Sequence, residues 1–376
     1  MKPYILLTPG PLTTSDTVKQ VMMADWCTWD EDYNLHIVEE IRHNLVALAT
    51  KKPELYTAIL LQGSGTYCVE AVLGSAIAPQ NRLLILSNGA YGDRMGTIAE
   101  YHKLNYDIIE FDEISQVSEV TLEEHLLKNP DITHVAVVHC ETTTGVLNPL
   151  RKISRVVRKH GRKFIVDAMS SFGGVDIEVG KLGIDFIISS ANKCIQGVPG
   201  FSFVIANKNL LLASRGKARS LSLDLYDQWE TMDKDGKWRF TSPTHVVLAF
   251  SKALDEMLEE GGIAARSKRY YDNNRLLIEK MAEIEIRVTD IITIEQTQYR
   301  VIGYRAGLFS LCEMNTKKLT IFLLPSKDLV KWATEGAARV EKSNSSNILL
   351  PDLKDENYLK KQALMQFIMQ EYGPLY

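Results

Sequence analysis

Between residues 57 and 206, short and almost continuously apolar runs alternate with longer stretches of helical spacing. Thr57 to Leu61, Arg82 to Ser87, Tyr106 to Phe111, Thr133 to His139, Lys163 to Asp167, Ile184 to Ser189 and Phe201 to Ala206 have the length and β-rich character of strands buried on both faces. Tyr67 to Ile77, Gly92 to Lys103, Thr121 to Lys128 and Leu150 to His160 read as helices, with Pro79, Asn129-Pro130 and His160-Gly161 as stops. Alternation of this kind is the signature of βαβ units, and it predicts an α/β fold with a seven-stranded, mainly parallel sheet carrying helices on both faces. Two further helices are predicted over Thr244 to Glu260 and Ile263 to Ala282, parted by Gly261-Gly262. That break divides the chain into an N-terminal segment (1–15), a large domain (16–262) and a smaller C-terminal α+β domain (263–376). The last is atypical from about residue 284: two β-like stretches near Arg287 to Ile294 and Leu319 to Leu324, a polar linker at Lys342 to Asn347 and a late helix from Asp352 to Gln370.

The composition narrows what such a chain does. Hydrophobic residues make up 45% and charged residues 24%, enough apolar material for a large core and too little net charge for a disordered chain. A formal charge of -4 leaves no basic surplus for a phosphate backbone, so nucleic acid is not the expected partner. No window approaches the roughly 18 to 20 apolar residues of a bilayer span, and no signal peptide is read at the start, so no membrane association is expected. The five cysteines are widely spaced and form no CxxC pair, which fits reduced thiols in a cytoplasmic protein and no metal set.

Ligands of open α/β sheets sit beyond the carboxyl ends of the strands, so the chemistry is sought in the loops that follow them. Gln62-Gly63-Ser64-Gly65-Thr66 lies between a strand and a helix. Its small residues let the first helical N–H groups approach an anion, with the Ser64 and Thr66 hydroxyls adding donors, although an ordinary helix cap would look similar. Glu141-Thr142-Thr143-Thr144-Gly145 places three hydroxyls in a row after the strand ending at His139. Asp167 ends an apolar strand, where a buried carboxylate needs a cationic or N–H partner; a protonated ring nitrogen would serve. Lys193 follows another strand among small residues and glycines, in Ser189-Ser-Ala-Asn-Lys-Cys-Ile-Gln-Gly-Val-Pro-Gly200, where partial desolvation would free its amine as nucleophile and base. An anion cup, a strand-terminal Asp and a sequestered Lys together make the parts list for pyridoxal 5'-phosphate.

On these motifs the chain resembles the class V aminotransferases, and within them those that transfer the amino group of 2-aminoethylphosphonate to pyruvate. Leu7-Thr-Pro-Gly-Pro-Leu-Thr-Thr14, Ser87-Asn-Gly-Ala-Tyr-Gly-Asp93, Val166-Asp-Ala-Met-Ser-Ser-Phe-Gly-Gly174, Arg219-Ser-Leu-Ser-Leu-Asp-Leu-Tyr226 and Gly236-Lys-Trp-Arg-Phe-Thr-Ser-Pro-Thr-His245 join the loops above, and the likeness runs from about residue 4 to 283. The resemblance implies a type I pyridoxal-phosphate fold and a homodimer, with Lys193 as the Schiff-base lysine and Asp167 on the pyridine nitrogen. It further implies that Ser64, Gly65, Thr66, Thr142 and Asn192 surround the cofactor, that Tyr91 stacks on its ring, and that Thr241 reaches the phosphate of the neighbouring subunit's cofactor. The related enzymes also carry a substrate-binding arginine in a C-terminal Phe-Arg-Ile-Gly-Asn type motif that this chain lacks; Arg300, Arg305 and Arg339 are poor substitutes. Two other readings therefore stay open: an alanine:glyoxylate or serine:pyruvate type transaminase, and a homologue that binds the cofactor without turnover.

Overall fold

The structure, a computed structural model, describes residues 9–283 and the strands between 291 and 341, with side chains described for 9–276. The chain divides into two compact units, one spanning Gly10–Ser267 and one beginning at Lys268.

The first unit is built on a seven-stranded sheet of β1 (Tyr56–Gln62), β2 (Arg82–Ser87), β3 (Asn105–Glu110), β4 (His134–Val138), β7 (Lys163–Asp167), β8 (Phe186–Ser190) and β9 (Phe201–Asn207), with the two-residue strands β5 (Cys140–Glu141) and β6 (Val146–Leu147) forming a small hairpin between β4 and β7. The sheet order is β1-β9-β8-β7-β4-β2-β3. Strands β3, β2, β4, β7 and β8 run parallel, while β9 is antiparallel to both β8 and β1. The reversal follows from the connection: β8 reaches β9 through the short loop 191–200 with no helix, and a parallel neighbour needs a longer crossover.

Successive strand residues point to opposite faces and so build two cores. Ala58 and Leu60, Leu84 and Leu86, Val135 and Val137, and Phe164 and Val166 join one cluster with helices Glu39–Ala49, Glu119–Lys128, Leu150–Lys159 and Thr244–Glu260. Ile59 and Leu61, Leu83 and Ile85, Ala136 and Val138, and Ile165 join the other with helices Gly65–Ala76 and Ala90–Tyr101. Burial on both faces is why these strands read as unbroken apolar runs.

Helices Glu39–Ala49 and Leu225–Asp235 escape the periodicity reading because polar side chains stand on their buried faces. Arg42, 4% exposed, donates to the carbonyls of Ala58 (2.8 Å) and Met232 (3.1 Å) and to Thr57 Oγ1 (3.2 Å). Gln228 donates to the Leu60 carbonyl at 2.9 Å.

In the second unit the described strands Ile291–Ile294, Thr297–Arg305, Leu308–Glu313, Ile321–Pro325 and Ala338–Glu341 form an antiparallel sheet, where the sequence reading expects two β-like stretches. Three of these five strands, Thr297–Arg305, Leu308–Glu313 and Ala338–Glu341, lie outside those stretches; in Thr297–Arg305 Gln298, Arg300 and Gly303 interrupt the apolar pattern, and the register shifts between Val301 and Gly303, as a bulge at a glycine does. The expected polar linker and late helix lie outside the described residues, and the side chains of Arg300, Arg305 and Arg339 lie outside the described side chains. Among the described residues no helix is long and apolar enough to cross a membrane.

Candidate active site

Register alone sets the centre of the site. Asp167 is the last residue of β7, paired with Val138 of β4 on one side and Ile188 of β8 on the other. The loop 191–200 leaves β8 immediately beyond it, so Lys193 rises from the neighbouring strand end. The helix Gly65–Ala76 begins where β1 ends, and the hairpin β5–β6 carries Thr142 beyond β4. These loops enclose a cavity of about 240 Å³, whose lining includes Ser64, Gly65, Thr66, Tyr91, Thr142, Asp167, Asn192 and Lys193. Eight of the nine residues singled out in the sequence thus line one cavity. Thr241 is elsewhere, between two further cavities of about 410 and 330 Å³ that it lines with Phe240 and Trp238.

Burial dominates the electrostatics. Asp167 is 3% exposed and its Oδ1 accepts one backbone hydrogen bond, from Met169 N at 2.8 Å. Desolvation lifts its carboxyl to about 6, with the nearby Glu141 adding to the rise and the Met169 N–H and Lys193 opposing it. The Lys193 amine is pushed below the usual lysine range, again by burial, with the Asp167 carboxylate working against the shift. Each group is thus poised nearer neutrality than it would be in water, which suits proton transfer.

The anion-binding end is the helix start. Ser64 precedes Gly65–Ala76 without capping it through its side chain; the Tyr67 N–H donates to the Ser64 carbonyl at 2.9 Å, and Ser64, Gly65 and Thr66 line the cavity, which puts the helix start at its edge. Arg94 donates to Thr66 Oγ1 at 3.3 Å and lies 4.6 Å from the centroid of the Tyr91 ring. A hydroxyl that accepts from a guanidinium still has its own hydrogen to give, so Thr66 is left to donate into the cavity. Thr142, also in the lining, shares a hydroxyl hydrogen bond of 2.7 Å with Ser170. Tyr91 is held at its backbone, where its N–H donates to Glu141 Oε1 at 3.4 Å, while the Thr143 hydroxyl donates to the same oxygen at 2.7 Å.

Several lining residues were not foreseen: Gly10, Arg94, Met169 and Ser190. Gly10 has φ +141°, and a Cβ there would stand 2.6 Å from both Cδ and Nζ of Lys193, so a larger residue would be strained and would displace the amine. A Cβ on Gly65 would stand 2.3 Å from Met169 Sδ. Arg94 stands three residues after Tyr91 on one helix, a spacing that puts both side chains on one face and was a usable signal. The Ser190 hydroxyl had no sequence signal beyond its place at the end of β8.

The lining fits pyridoxal phosphate on its own chemistry. Among the described residues the buried Ser190 Oγ has no hydrogen-bond partner, the buried Asp167 carboxylate could pair with a ring cation, and the helix start without a side-chain cap and the Thr66 hydroxyl suit a phosphate.

Comparison with known proteins agrees. A relative from Bacteroides fragilis (strain YCH46), 2-aminoethylphosphonate--pyruvate transaminase, is 65% identical over 285 residues, covering 76% of this chain and 79% of its own. A protein of the same name from Phocaeicola vulgatus is 60% identical over 329 residues, 87% of this chain and 85% of its own. In fold the chain is similar to alanine--glyoxylate aminotransferase from Nostoc sp. (TM-score 0.70, 24% identity, covering 83% of this chain and 80% of that one). It is similar also to ureidoglycine-glyoxylate aminotransferase from Bacillus subtilis (TM-score 0.70, 21% identity, covering 99% and 94%). The family model for aminotransferase class-V matches residues 32–303, a stretch that holds the sheet, the helix start, Asp167 and Lys193, and the chain belongs to that family.

Proposed function

We propose that this chain transfers the amino group of 2-aminoethylphosphonate to pyruvate, leaving phosphonoacetaldehyde and L-alanine. The observation that carries the reading is that Lys193 and the buried Asp167 line one cavity. The names of the relatives from B. fragilis and P. vulgatus supply the substrates.

Pyridoxal phosphate, when bound, supplies an aldehyde carbon that takes up amines and a ring that draws electrons from the substrate carbon. The side chains do the remaining work. The first N–H groups of helix Gly65–Ala76, with the Ser64 and Thr66 hydroxyls, bind the phosphate, and Arg94 adds a guanidinium at that end. Asp167, once ionised, keeps a proton on the ring nitrogen; that cation in turn lowers the Asp167 carboxyl from about 6. Tyr91, Asn192 and Thr142 line the same cavity and would contact the ring. Lys193 would hold the cofactor, and its amine, made less basic by burial, could take up and return a proton at the substrate carbon. Two substrates alternate in one pocket, each bringing an anionic group.

A homodimer completes the reading. Trp29, Tyr67 and Phe240 are 80%, 52% and 52% exposed and line the cavities that meet at Thr241. Apolar exposure of this kind suits a face covered by a second copy, which would carry Thr241 to the other cofactor's phosphate.

The test is a half-reaction. Adding 2-aminoethylphosphonate to the yellow holoenzyme should bleach the visible band and release phosphonoacetaldehyde, and Lys193→Ala should lack that band. A holoenzyme bleached by alanine alone would reassign the amino donor. One bleached by neither would make the chain a cofactor binder without turnover.

A further inference from the structure

The loop that presents Lys193 satisfies part of its own backbone. Gln196 N donates to the Lys193 carbonyl at 2.8 Å, and Gly197 N donates to the Ala191 carbonyl at 2.9 Å. To make this turn Gln196 takes φ +67°, a left-handed conformation that a side-chain-bearing residue adopts only where its surroundings impose it. The next carbonyl, that of Cys194, takes its hydrogen bond from far along the sequence: Arg266 Nη1 donates to it at 2.7 Å. Arg266 is 3% exposed, near the start of helix Gly262–Glu283. The rest of its fork goes to Glu260, the last residue of helix Thr244–Glu260, with Nε and Nη2 donating to Oε2 at 2.9 and 2.8 Å. One buried guanidinium thus ties the lysine loop to the bend between two helices. Its charge is matched by Glu260, which leaves the backbone as its route to Lys193.

We propose that Arg266 is a positioning residue: by fixing the Cys194 carbonyl it holds the strained turn at Gln196 and so aims the Lys193 amine at the reacting carbon. The inference rests on the assignment of Lys193 made above. A guanidinium that only stapled the helix bend would matter for stability and cofactor content, and not for turnover per bound cofactor.

The experiment uses holoenzyme of the full chain carrying Arg266→Met, Arg266→Lys or Glu260→Gln. It measures kcat per mole of bound cofactor, KM for 2-aminoethylphosphonate, the pH midpoint of the cofactor's visible band, and Tm. Because misplacement by about 1 Å can cost on the order of 100-fold, R266M is expected to lower kcat by about tenfold or more while KM changes by less than about threefold. The midpoint of the visible band should move, since it reports the surroundings of the Lys193 nitrogen. R266K should recover part of kcat, because an ammonium can still donate to the Cys194 carbonyl without reproducing the fork. E260Q, which leaves that bond in place, should lower Tm more than kcat. Wild-type kcat and midpoint in R266M, with only Tm reduced, would overturn the proposal; if R266M fails to fold, the same values in R266A, which also removes the donor to the Cys194 carbonyl and is measured at reduced temperature, would do so. K193A is the separate control: a visible band that survives it sinks the assignment of Lys193 itself, whereas its loss alongside an unaffected R266M sinks only the role of Arg266.

Discussion

Replacing Asp167 with Asn should make the cofactor-free chain more stable than the wild type at neutral pH, and the advantage should fade in acid. The Asp167 carboxyl sits at about 6 in the fold against 3.8 as a free side chain, because burial penalises the ionised form. Below pH 3.8 the group is neutral in both folded and unfolded chains and contributes nothing. Between 3.8 and 6 the folded chain keeps a proton that the unfolded chain has lost, so stability falls as the pH rises through that window. Above 6 the full penalty is present, and a rise of about two units at about 1.4 kcal/mol each gives about 3 kcal/mol. Asparagine carries no such charge and can keep the acceptor bond from Met169 N, so the difference between the two chains isolates one carboxyl. Urea unfolding of both cofactor-free proteins at several pH values measures it. The stability of D167N relative to wild type should rise by about 2 to 3 kcal/mol from pH 4 to pH 8. A flat difference, or one that favours the wild type increasingly as pH rises, would refute the burial argument. With pyridoxal phosphate bound the order should reverse, since the ring cation then needs a carboxylate and D167N removes one partner of a buried pair, at a cost of about 3 to 5 kcal/mol in cofactor binding.

Gly10→Ala places a methyl 2.6 Å from Lys193 Nζ in a backbone conformation that alanine resists, and should reduce cofactor incorporation, read from the visible absorbance per protein, by about tenfold or more. Ser190→Ala removes a buried hydroxyl that has no hydrogen-bond partner among the described residues; the cofactor-free chain should melt at the same temperature or slightly higher, while the dissociation constant for pyridoxal phosphate rises. Arg42→Met strips five hydrogen bonds, among them the ion pairs with Glu39 and Asp233, and leaves the Ala58 and Met232 carbonyls without that donor, which should destabilise the first unit by about 3 kcal/mol with little change in turnover by the protein that remains folded.

What was legible in the sequence follows from where the physics is local. Strands β2, β4 and β7 are buried on both faces, so their apolar runs are continuous and their ends fall on the residues that matter: Asp167 closes β7, and the loop after β8 opens on Lys193. The helix Gly65–Ala76 announces itself by the small residues before it. Where polar groups serve the core, the pattern breaks, as at Arg42 and Gln228, whose side chains serve backbone carbonyls and so look like surface residues in a list of letters. The second unit was only partly legible because its central strand Thr297–Arg305 mixes Gln298, Arg300 and Gly303 with apolar residues.

The remaining residues show a different limit, one of distance along the chain. Arg94 was within reach, three residues from Tyr91 on a helix already recognised. Arg266 was not: it meets the Cys194 carbonyl across 72 residues, and only the bend that turns helix Thr244–Glu260 into helix Gly262–Glu283 brings the two together. Thr241 lies further out of reach, since it lines no part of the Lys193 cavity within its own chain. If its hydroxyl serves a phosphate, that phosphate belongs to a second copy, and the side chain is then a property of the assembly rather than of the fold. A Thr241→Ala chain should accordingly unfold like the wild type while holding pyridoxal phosphate more weakly. Mixed dimers of T241A with K193A settle the geometry. The intact Lys193 of the T241A copy lies opposite the intact Thr241 of the K193A copy, so that one site per dimer should regain wild-type cofactor affinity. Mixed dimers that bind no better than T241A alone would place the threonine's role within its own subunit and remove the argument for a shared site.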